Sequence, residues 1–233
     1  MPRPSRIDYP GCVHHVTARG NRGAPIFGDD FDRRRLLALL AEALHRFDAA
    51  AFAYCLMDNH YHLVLHSRQG NLDRLMRHVG SAYAHGFNRR HASGGHLFQD
   101  RFHSRVVDSD NYLLRVCCYV ELNPVRAGMV RWESEWPWSS HRAHLGHETP
   151  PSWLDVGALH AHLLGRDPLD AEDRALAAQR YAAAIAASGD DKLWRDGVRQ
   201  EGFLGDDQFV ERAKSLAASR RGRQPNSGSG LKT

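Results

Sequence analysis

The amino-acid sequence predicts an α+β fold in which an antiparallel sheet carries helices on one face. Segments with strand-like and helix-like apolar spacing alternate in the order β-α-β-β-α-β-α. The second and third strand segments are separated only by Asp58-Asn59, residue types that favour a tight hairpin turn and hence antiparallel pairing. A chain of 233 residues is long enough for one such core and a small second domain.

The four predicted strands are rich in apolar and β-branched residues and are bounded by turn-forming residues. The first strand ends at Gly20, and the fourth follows the chain-breaking pair Gly94-Gly95. Their approximate limits are 12–18, 51–57, 60–66 and 96–107.

The three helices of this region have apolar residues spaced three and four positions apart, which predicts one buried stripe on each helix. Asp29 or Asp30 can cap the first helix, and Asn71 can cap the second. The second and third helices have approximate limits of 71–90 and 109–123. Pro124 disfavours continuation of the third helix through Asn123. The order of elements is that of the split βαβ, ferredoxin-like plan plus one helix.

The C-terminal part of the chain has a different composition. An aromatic connector at 131–147 leads to alanine-rich sequence beyond Pro150-Pro151, with helices predicted at about 153–164, 170–187, 191–200 and 206–218. We therefore predict a sheet-containing domain at 1–147, a small C-terminal helical domain at 148–218 and a disordered basic tail at 219–233.

Charge is distributed unevenly over these three parts. Residues 1–147 contain 19 Lys+Arg and 14 Asp+Glu, residues 148–218 contain 8 and 13, and the tail contains 4 and none. A polyanionic partner is therefore expected at the first domain and at the tail, and not at the helical domain. Arginine greatly outnumbers lysine, which suits bidentate phosphate contacts, although a GC-rich genome gives the same bias.

Composition also narrows the cellular compartment. The sequence contains no apolar run long enough to span a bilayer and no secretory signal at its N-terminus, so cytoplasm is the expectation. The four cysteines lack CxxC spacing, and two of them, Cys117 and Cys118, are adjacent. They are predicted to be buried thiols rather than a zinc site or a disulfide framework.

The third strand contains the first candidate site. Side chains alternate between the faces of a strand, so His60 and His62 are predicted to point the same way, as does His66. The intervening residues Tyr61, Leu63 and Leu65 are predicted to face the helices. Two adjacent imidazoles can hold a divalent metal ion, but a His-x-His pair is also common in strands that bind nothing. On the first strand His14 and His15 lie on opposite faces, so at most one of them can face the site.

The third helix contains the second candidate. Tyr119 and Asn123 are four positions apart and therefore lie on one helix face. A metal-binding pair together with such a tyrosine suggests phosphoryl transfer with the phenol oxygen as nucleophile. A half-buried tyrosine with no chemical role is the alternative, and Tyr112, seven residues earlier, is a second candidate for the nucleophile.

These motifs resemble the HUH single-tyrosine transposases, specifically their REP-associated branch, over roughly residues 8–147. The resemblance rests on His60 and His62, on Tyr119, on the run Asn-Pro-Val-Arg-Ala-Gly at 123–128, and on the run Gly-Asn-Arg-Gly at 20–23.

The resemblance implies a metal-dependent endonuclease and strand transferase that acts on single-stranded DNA with hairpin structure. Tyr119 would form a 5′-phosphotyrosine, and Asn123 would be the third ligand beside His60 and His62. The implied cofactor is Mg²⁺ or Mn²⁺. The longer members of the branch have extra C-terminal helices and lead us to expect a monomer, with a dimer as the alternative. A DNA-acting protein would be located at the nucleoid.

The predicted fourth strand supplies candidate DNA contacts. Phe98 and Phe102 alternate there with Arg101, His103 and Arg105, which predicts one packed face and one face that meets DNA through phosphate contacts and base stacking. An ordinary solvated edge is the alternative. Further candidates for DNA binding, individually weaker, are Arg19, Arg22 and Arg126.

Two other classes of function remain open. One is a catalytically silent DNA-binding or regulatory protein on the same fold, against which the intact histidines, tyrosine and amide argue. The other is a zinc hydrolase, which needs a third strong ligand and a carboxylate base that the sequence does not offer in a recognisable cluster.

Overall fold

A computed structural model describes residues 6–188 and 202–221 of the chain. Its sheet has the strand order β2-β3-β1-β4-β5. The strands are Cys12–Arg19 (β1), Ala49–Leu56 (β2), His60–Ser67 (β3), His103–Val107 (β4) and Phe203–Leu204 (β5). Strands β1 to β4 follow one another along the chain in the predicted order, and neighbouring strands among them pair antiparallel. Strand β5 pairs with β4 in parallel. The α+β class and the ferredoxin-like sheet are confirmed.

The described part of the chain has one more helix before the connector than the three predicted, because the short α4 follows α3. They are Asp30–Arg46 (α1), Leu72–Arg90 (α2), Leu113–Glu121 (α3), Asn123–Arg126 (α4), His141–His144 (α5), Val156–Leu164 (α6), Ala171–Ala187 (α7) and Asp207–Arg221 (α8). Of the two predicted caps for α1 the structure uses Asp29, whose side chain accepts from the amide of Asp32. Pro124 lies in the first turn of α4, where its missing N–H costs little.

The two faces of the sheet have separate cores. Helices α1 and α2 pack on the face that contains Tyr61, Leu63 and Leu65, as the strand alternation predicted. Helix α3 packs on the opposite face with Val13 and Val64. Helices therefore lie on both faces of the sheet and not on one as predicted, and the histidines lie beside the helix that contains Tyr119.

The N-terminus of α2 corrects one prediction. Asn71 occupies the cap position but does not cap, because its amide donates instead to the carbonyl of Phe47. The first helical amide, that of Leu72, is satisfied by Asp8, 64 residues earlier in the chain, at 2.8 Å. A partner so distant in sequence cannot be inferred from local pattern.

The fourth strand is shorter than predicted. Pairing with β1 begins at His103 rather than at 96. The residues before it cross the end of the sheet, where Asn21 donates to Leu97 and Gln99 donates to Arg19 through the backbone. Phe98 and Phe102 both pack into the helix-side core.

The C-terminal helices pack directly on the sheet. Leu159 of α6 and Tyr181 and Ile185 of α7 are buried in the same core as α3. Strand β5 was not predicted, and α8 extends to Arg221, three residues into the predicted tail. The helix predicted at 191–200 lies outside the described residues, and the domain boundary after residue 147 stays a prediction. Among the helices described, none has the length and apolar character needed to cross a membrane.

Candidate active site

Strand β3 places His60 and His62 on the face that α3 covers, with their ring centroids 5.0 Å apart. His62 is buried and His60 is half-buried. Nδ1 of His60 lies 2.7 Å from Oδ1 of Asn59 in the hairpin turn, so this nitrogen acts as the donor and Nε2 keeps its lone pair. The strand alternation therefore gives the geometry that the sequence predicted for the pair.

A third imidazole, His15, completes this group. The antiparallel register pairs Thr17 with His62, so His15 lies one step further along the same face of β1. Its ring stacks on that of His62 at 5.2 Å, and its Nε2 is 3.0 Å from Nδ1 of His62. Of the two histidines on the first strand, His15 is the one that faces the site. Sequence reasoning limited the choice to one of the pair but could not select it.

The hydrogen bond between His15 and Nδ1 of His62 leaves Nε2 of His62 as the nitrogen that could bind a metal ion. Nε2 of His62 is buried and has no hydrogen-bond partner among the described residues. Buried polar atoms in proteins are nearly always paired, and a metal-binding histidine usually has its other nitrogen held by a neighbouring side chain. The donor set of His60 and His62 thus fits a divalent ion.

The electrostatic surroundings keep these rings neutral. Burial lowers the pKa of His15 to about 3, and the nearby Arg105 acts in the same direction. Burial also lowers the pKa of His62, helped by His15 and His60. The pKa of His60 is lowered by burial and by Arg19. A neutral imidazole is the form that binds metal, so no deprotonation cost opposes binding at neutral pH.

Helix α3 brings Tyr119 against these rings. The phenol ring meets those of His15 and His62 edge to face, with centroid distances of 6.1 and 6.0 Å. The guanidinium of Arg126 lies 4.8 Å from the centre of the Tyr119 ring. Tyr112 immediately precedes α3. It therefore lies about 10 Å from Tyr119 along the helix axis. Of the two candidate nucleophiles, Tyr119 is the one that contacts the histidine group.

Asn123 contacts the end of α3. Its amide nitrogen donates to the carbonyls of Tyr119 at 2.8 Å and Val120 at 3.2 Å. These bonds satisfy two of the terminal carbonyls of α3 and help to fix the junction with α4. The carbonyl oxygen of Asn123 is then the only atom of its side chain that could serve as a metal ligand.

A cleft of about 250 Å³ opens beside the histidine pair. Its polar lining consists of Thr17, Arg19, His60, His62, Gln99, Asp100, Arg101 and His103. Three of the six predicted DNA contacts, Arg19, Arg101 and His103, are therefore brought together here. The carboxylate of Asp100 in this lining was not assigned a role from the sequence.

The remaining predicted DNA contacts differ in position. Arg105 pairs across the strands with His15, next to the cleft, and Arg126 lies over the Tyr119 ring. Arg22 is exposed in the turn after β1 with a φ of 55°, and the cleft lining does not include it. Phe98 and Phe102 both pack into the helix-side core, as expected for the packed face of this segment.

A second polar group, formed by Asp8, Cys12 and His14, lies away from this cleft. Its potential ligand atoms are within 4.8 Å of one another. Asp8 is already used by His14, at 3.1 Å, and by the first amide of α2. Burial raises the pKa of Cys12 to about 12, which keeps its thiol protonated and disfavours metal binding. The group ties the N-terminal segment to α2. All four cysteines are buried and unpaired, as predicted.

The chain is similar to known proteins in sequence and in fold. A family model described as IS200-like transposase matches residues 9–123, a range that includes the three histidines, Tyr119 and Asn123. The fold is also similar to a solved structure of a REP-associated tyrosine transposase bound to a REP hairpin. The TM-score is 0.55 at 17% sequence identity, covering 65% of this chain and 89% of that one. No curated protein matches the chain.

Proposed function

We propose that the protein is a metal-dependent single-stranded DNA endonuclease and strand transferase that acts at DNA hairpins, because the IS200-like transposase model matches residues 9–123. The observation that carries the proposal is the contact between Tyr119 and His62, whose buried Nε2 has no partner among the described residues. A candidate nucleophile and a candidate metal ligand are thereby brought into one site.

The proposed ion is Mg²⁺ or Mn²⁺, held by Nε2 of His60 and Nε2 of His62, with Oδ1 of Asn123 as the third protein ligand. When bound, such an ion offsets charge on the non-bridging oxygens of the scissile phosphate. His15 has the supporting role. By accepting from Nδ1–H of His62 through its own Nε2, it selects the tautomer in which Nε2 of His62 has a lone pair.

Tyr119 is the proposed nucleophile. Its oxygen bonds to the phosphorus, the bond from phosphorus to the 3′-oxygen breaks, and the product is a 5′-phosphotyrosine with a released 3′-hydroxyl. The phenol loses its proton in this step and the 3′-oxygen gains one. The guanidinium of Arg126, 4.8 Å from the ring centre, favours the phenolate over the phenol because it is positively charged. The covalent bond conserves the energy of the phosphodiester, so reversal of the same step rejoins a strand.

The cleft suggests the path of the DNA backbone. Arg19, Arg101 and His103 line it. Arg105 lies two residues after His103 on β4, where it pairs with His15 of β1. Arginine forks bind phosphate oxygens bidentately, and such contacts position a strand without reading its sequence. We also assign Arg22 to this DNA-binding surface, although it does not line the cleft. Acting on DNA, the protein would work at the nucleoid in the cytoplasm, and we propose that it acts as a monomer.

The experiment that tests the proposal uses the full chain and a labelled single-stranded DNA hairpin with unpaired flanks. We expect a covalent protein–DNA adduct on a denaturing gel with Mg²⁺ or Mn²⁺, and none with EDTA. Tyr119→Phe removes only the hydroxyl and should abolish the adduct while hairpin binding persists. Tyr112→Phe is the matched control and should form the adduct normally. An adduct from Tyr119→Phe, or undiminished cleavage in EDTA, contradicts the proposal.

A further inference from the structure

Helix α3 contains a fully buried carboxylate that the proposed chemistry does not use. Glu121 lies two residues after Tyr119 and is completely inaccessible to solvent. Four donors surround it. Ser140 donates through its hydroxyl, His141 and His144 lie with Nδ1 at 3.2 and 2.7 Å, and the Tyr181 hydroxyl donates at 2.8 Å. Four is about the number of hydrogen bonds that a carboxylate can accept.

The arrangement favours an ionised carboxylate in the core. Burial alone raises the pKa of Glu121, but the opposing effects of His144 and His141 lower it to about 2. A buried carboxylate is costly to desolvate, and well-packed apolar residues could replace such a group with no loss of stability. The cluster therefore provides directional hydrogen bonds that a hydrophobic contact would not.

The donors come from parts of the chain that are distant in sequence. Ser140, His141 and His144 belong to the segment that forms α5, and Tyr181 belongs to α7, 60 residues after Glu121. All of them meet on one side of α3. Since successive helical residues are about 100° apart, Glu121 points about 200° away from Tyr119 around the axis. Bonds that hold Glu121 on one side fix how the opposite side faces the histidines.

We propose that Glu121 is a positioning residue for Tyr119, and that Tyr181 lets the C-terminal helices take part in setting the position of the nucleophile. The bonds to Glu121 fix the rotation of α3 and hold the phenol ring against His15 and His62. This inference rests on the proposed function of Tyr119. The proposed role of α7 acts through Tyr181 and Glu121 and does not require α7 to contact DNA.

The test removes one tyrosine hydroxyl from the Glu121 cluster and compares the effect with that of removing a buried tyrosine hydroxyl elsewhere. Tyr181→Phe removes the hydroxyl that donates to Glu121. Tyr83→Phe is the matched control, since Tyr83 is equally buried and its hydroxyl donates at 2.6 Å to the carbonyl of Ile26 on the opposite face of the sheet. For each variant, the single-turnover cleavage rate and the hairpin Kd are measured well below the melting temperature, and the thermal midpoint is measured separately.

Both variants should lose a similar amount of thermal stability. Only Tyr181→Phe should slow single-turnover cleavage, by between about 10- and 100-fold, because small misplacements of a reacting group cost this much. Its hairpin Kd should stay at the parent value. A parent-like cleavage rate for Tyr181→Phe overturns the inference, and so does an equal slowing by Tyr83→Phe.

A second measurement needs neither DNA nor activity. Backbone amide exchange at residues 117–121 should be faster in Tyr181→Phe than in Tyr83→Phe when the two are compared at matched global stability. Equal exchange at these residues overturns the inference even if cleavage is slowed. If the parent protein forms no adduct, the proposed function fails, and the exchange comparison still decides whether the Glu121 cluster orients α3.

Discussion

The hydrogen bond between His15 and His62 leads to a sharp prediction about metal affinity. His15→Phe keeps an aromatic ring on β1 but removes the nitrogen that lies 3.0 Å from Nδ1 of His62. The N–H of His62 would then be buried without a partner, at a cost of about 1–3 kcal/mol. Since every 1.4 kcal/mol is about a factor of ten, the expected loss of affinity is between about 5- and 150-fold. Deletions of such supporting residues typically cost about 10–100-fold in affinity, which agrees.

The assay is a Mn²⁺ titration of the full chain without DNA, followed by electron paramagnetic resonance, with the Mn²⁺ midpoint of cleavage as a second readout. His14→Phe is the matched control, because His14 is the adjacent residue, is also buried and is hydrogen-bonded at 3.1 Å to Asp8, but on the other face of β1. It should lower stability without changing Mn²⁺ affinity. The reasoning is refuted if His15→Phe binds Mn²⁺ like the parent, or if both variants weaken binding equally.

Three further outcomes are expected. Asn123→Ala should raise the Mn²⁺ midpoint of cleavage less than His62→Ala does, since a neutral amide is a weak ligand that water can replace; equal effects would show a larger role for the amide. Because the pKa of Glu121 is about 2 in the folded protein against an ordinary 4.5, its stabilising effect is complete above pH 4.5 and is lost as the pH falls toward 2. Urea unfolding midpoints over this interval should therefore fall more steeply for the parent than for Glu121→Gln. A protein ending at residue 147 lacks Leu159 and Tyr181, which are buried against α3, so it should melt at a lower temperature and cleave more slowly than the full chain. Parent-like melting and cleavage of that truncation would instead support an independent helical domain.

The parts of the fold and site that depend on local periodicity were predictable from the sequence. Alternation along β3 is enough to place His60 and His62 on one face, and helical spacing is enough to put Tyr119 and Asn123 together. The hairpin at Asp58-Asn59 and the order of the first four strands depend on equally local signals.

The features that the sequence did not reveal depend on pairing between distant segments. His15 faces the site because of the register of β1 against β3, which nothing in the first strand specifies. Glu121 resembles an ordinary exposed residue near a helix end, but side chains from α5 and from α7, up to 60 residues later, surround its carboxylate. The start of β4 was placed too early because Phe98 and Phe102 are spaced as in a strand and both pack on the helix side, although regular pairing with β1 begins only at His103.

Each edge of the four-stranded sheet is covered over part of its length by residues that come after residue 130. On one edge, Ala51 donates to Trp153 and Leu56 donates to Trp138 through backbone bonds. On the other edge, β5 is supplied by residues 203–204, very late in the chain.

An open strand edge is a template for pairing with another chain. During synthesis, β4 therefore remains exposed until residues 203–204 have left the ribosome. Nascent or prematurely terminated chains should consequently be the species most prone to aggregate and most dependent on chaperones, since they lack the strand that covers the end of β4 at Val106 and Val107.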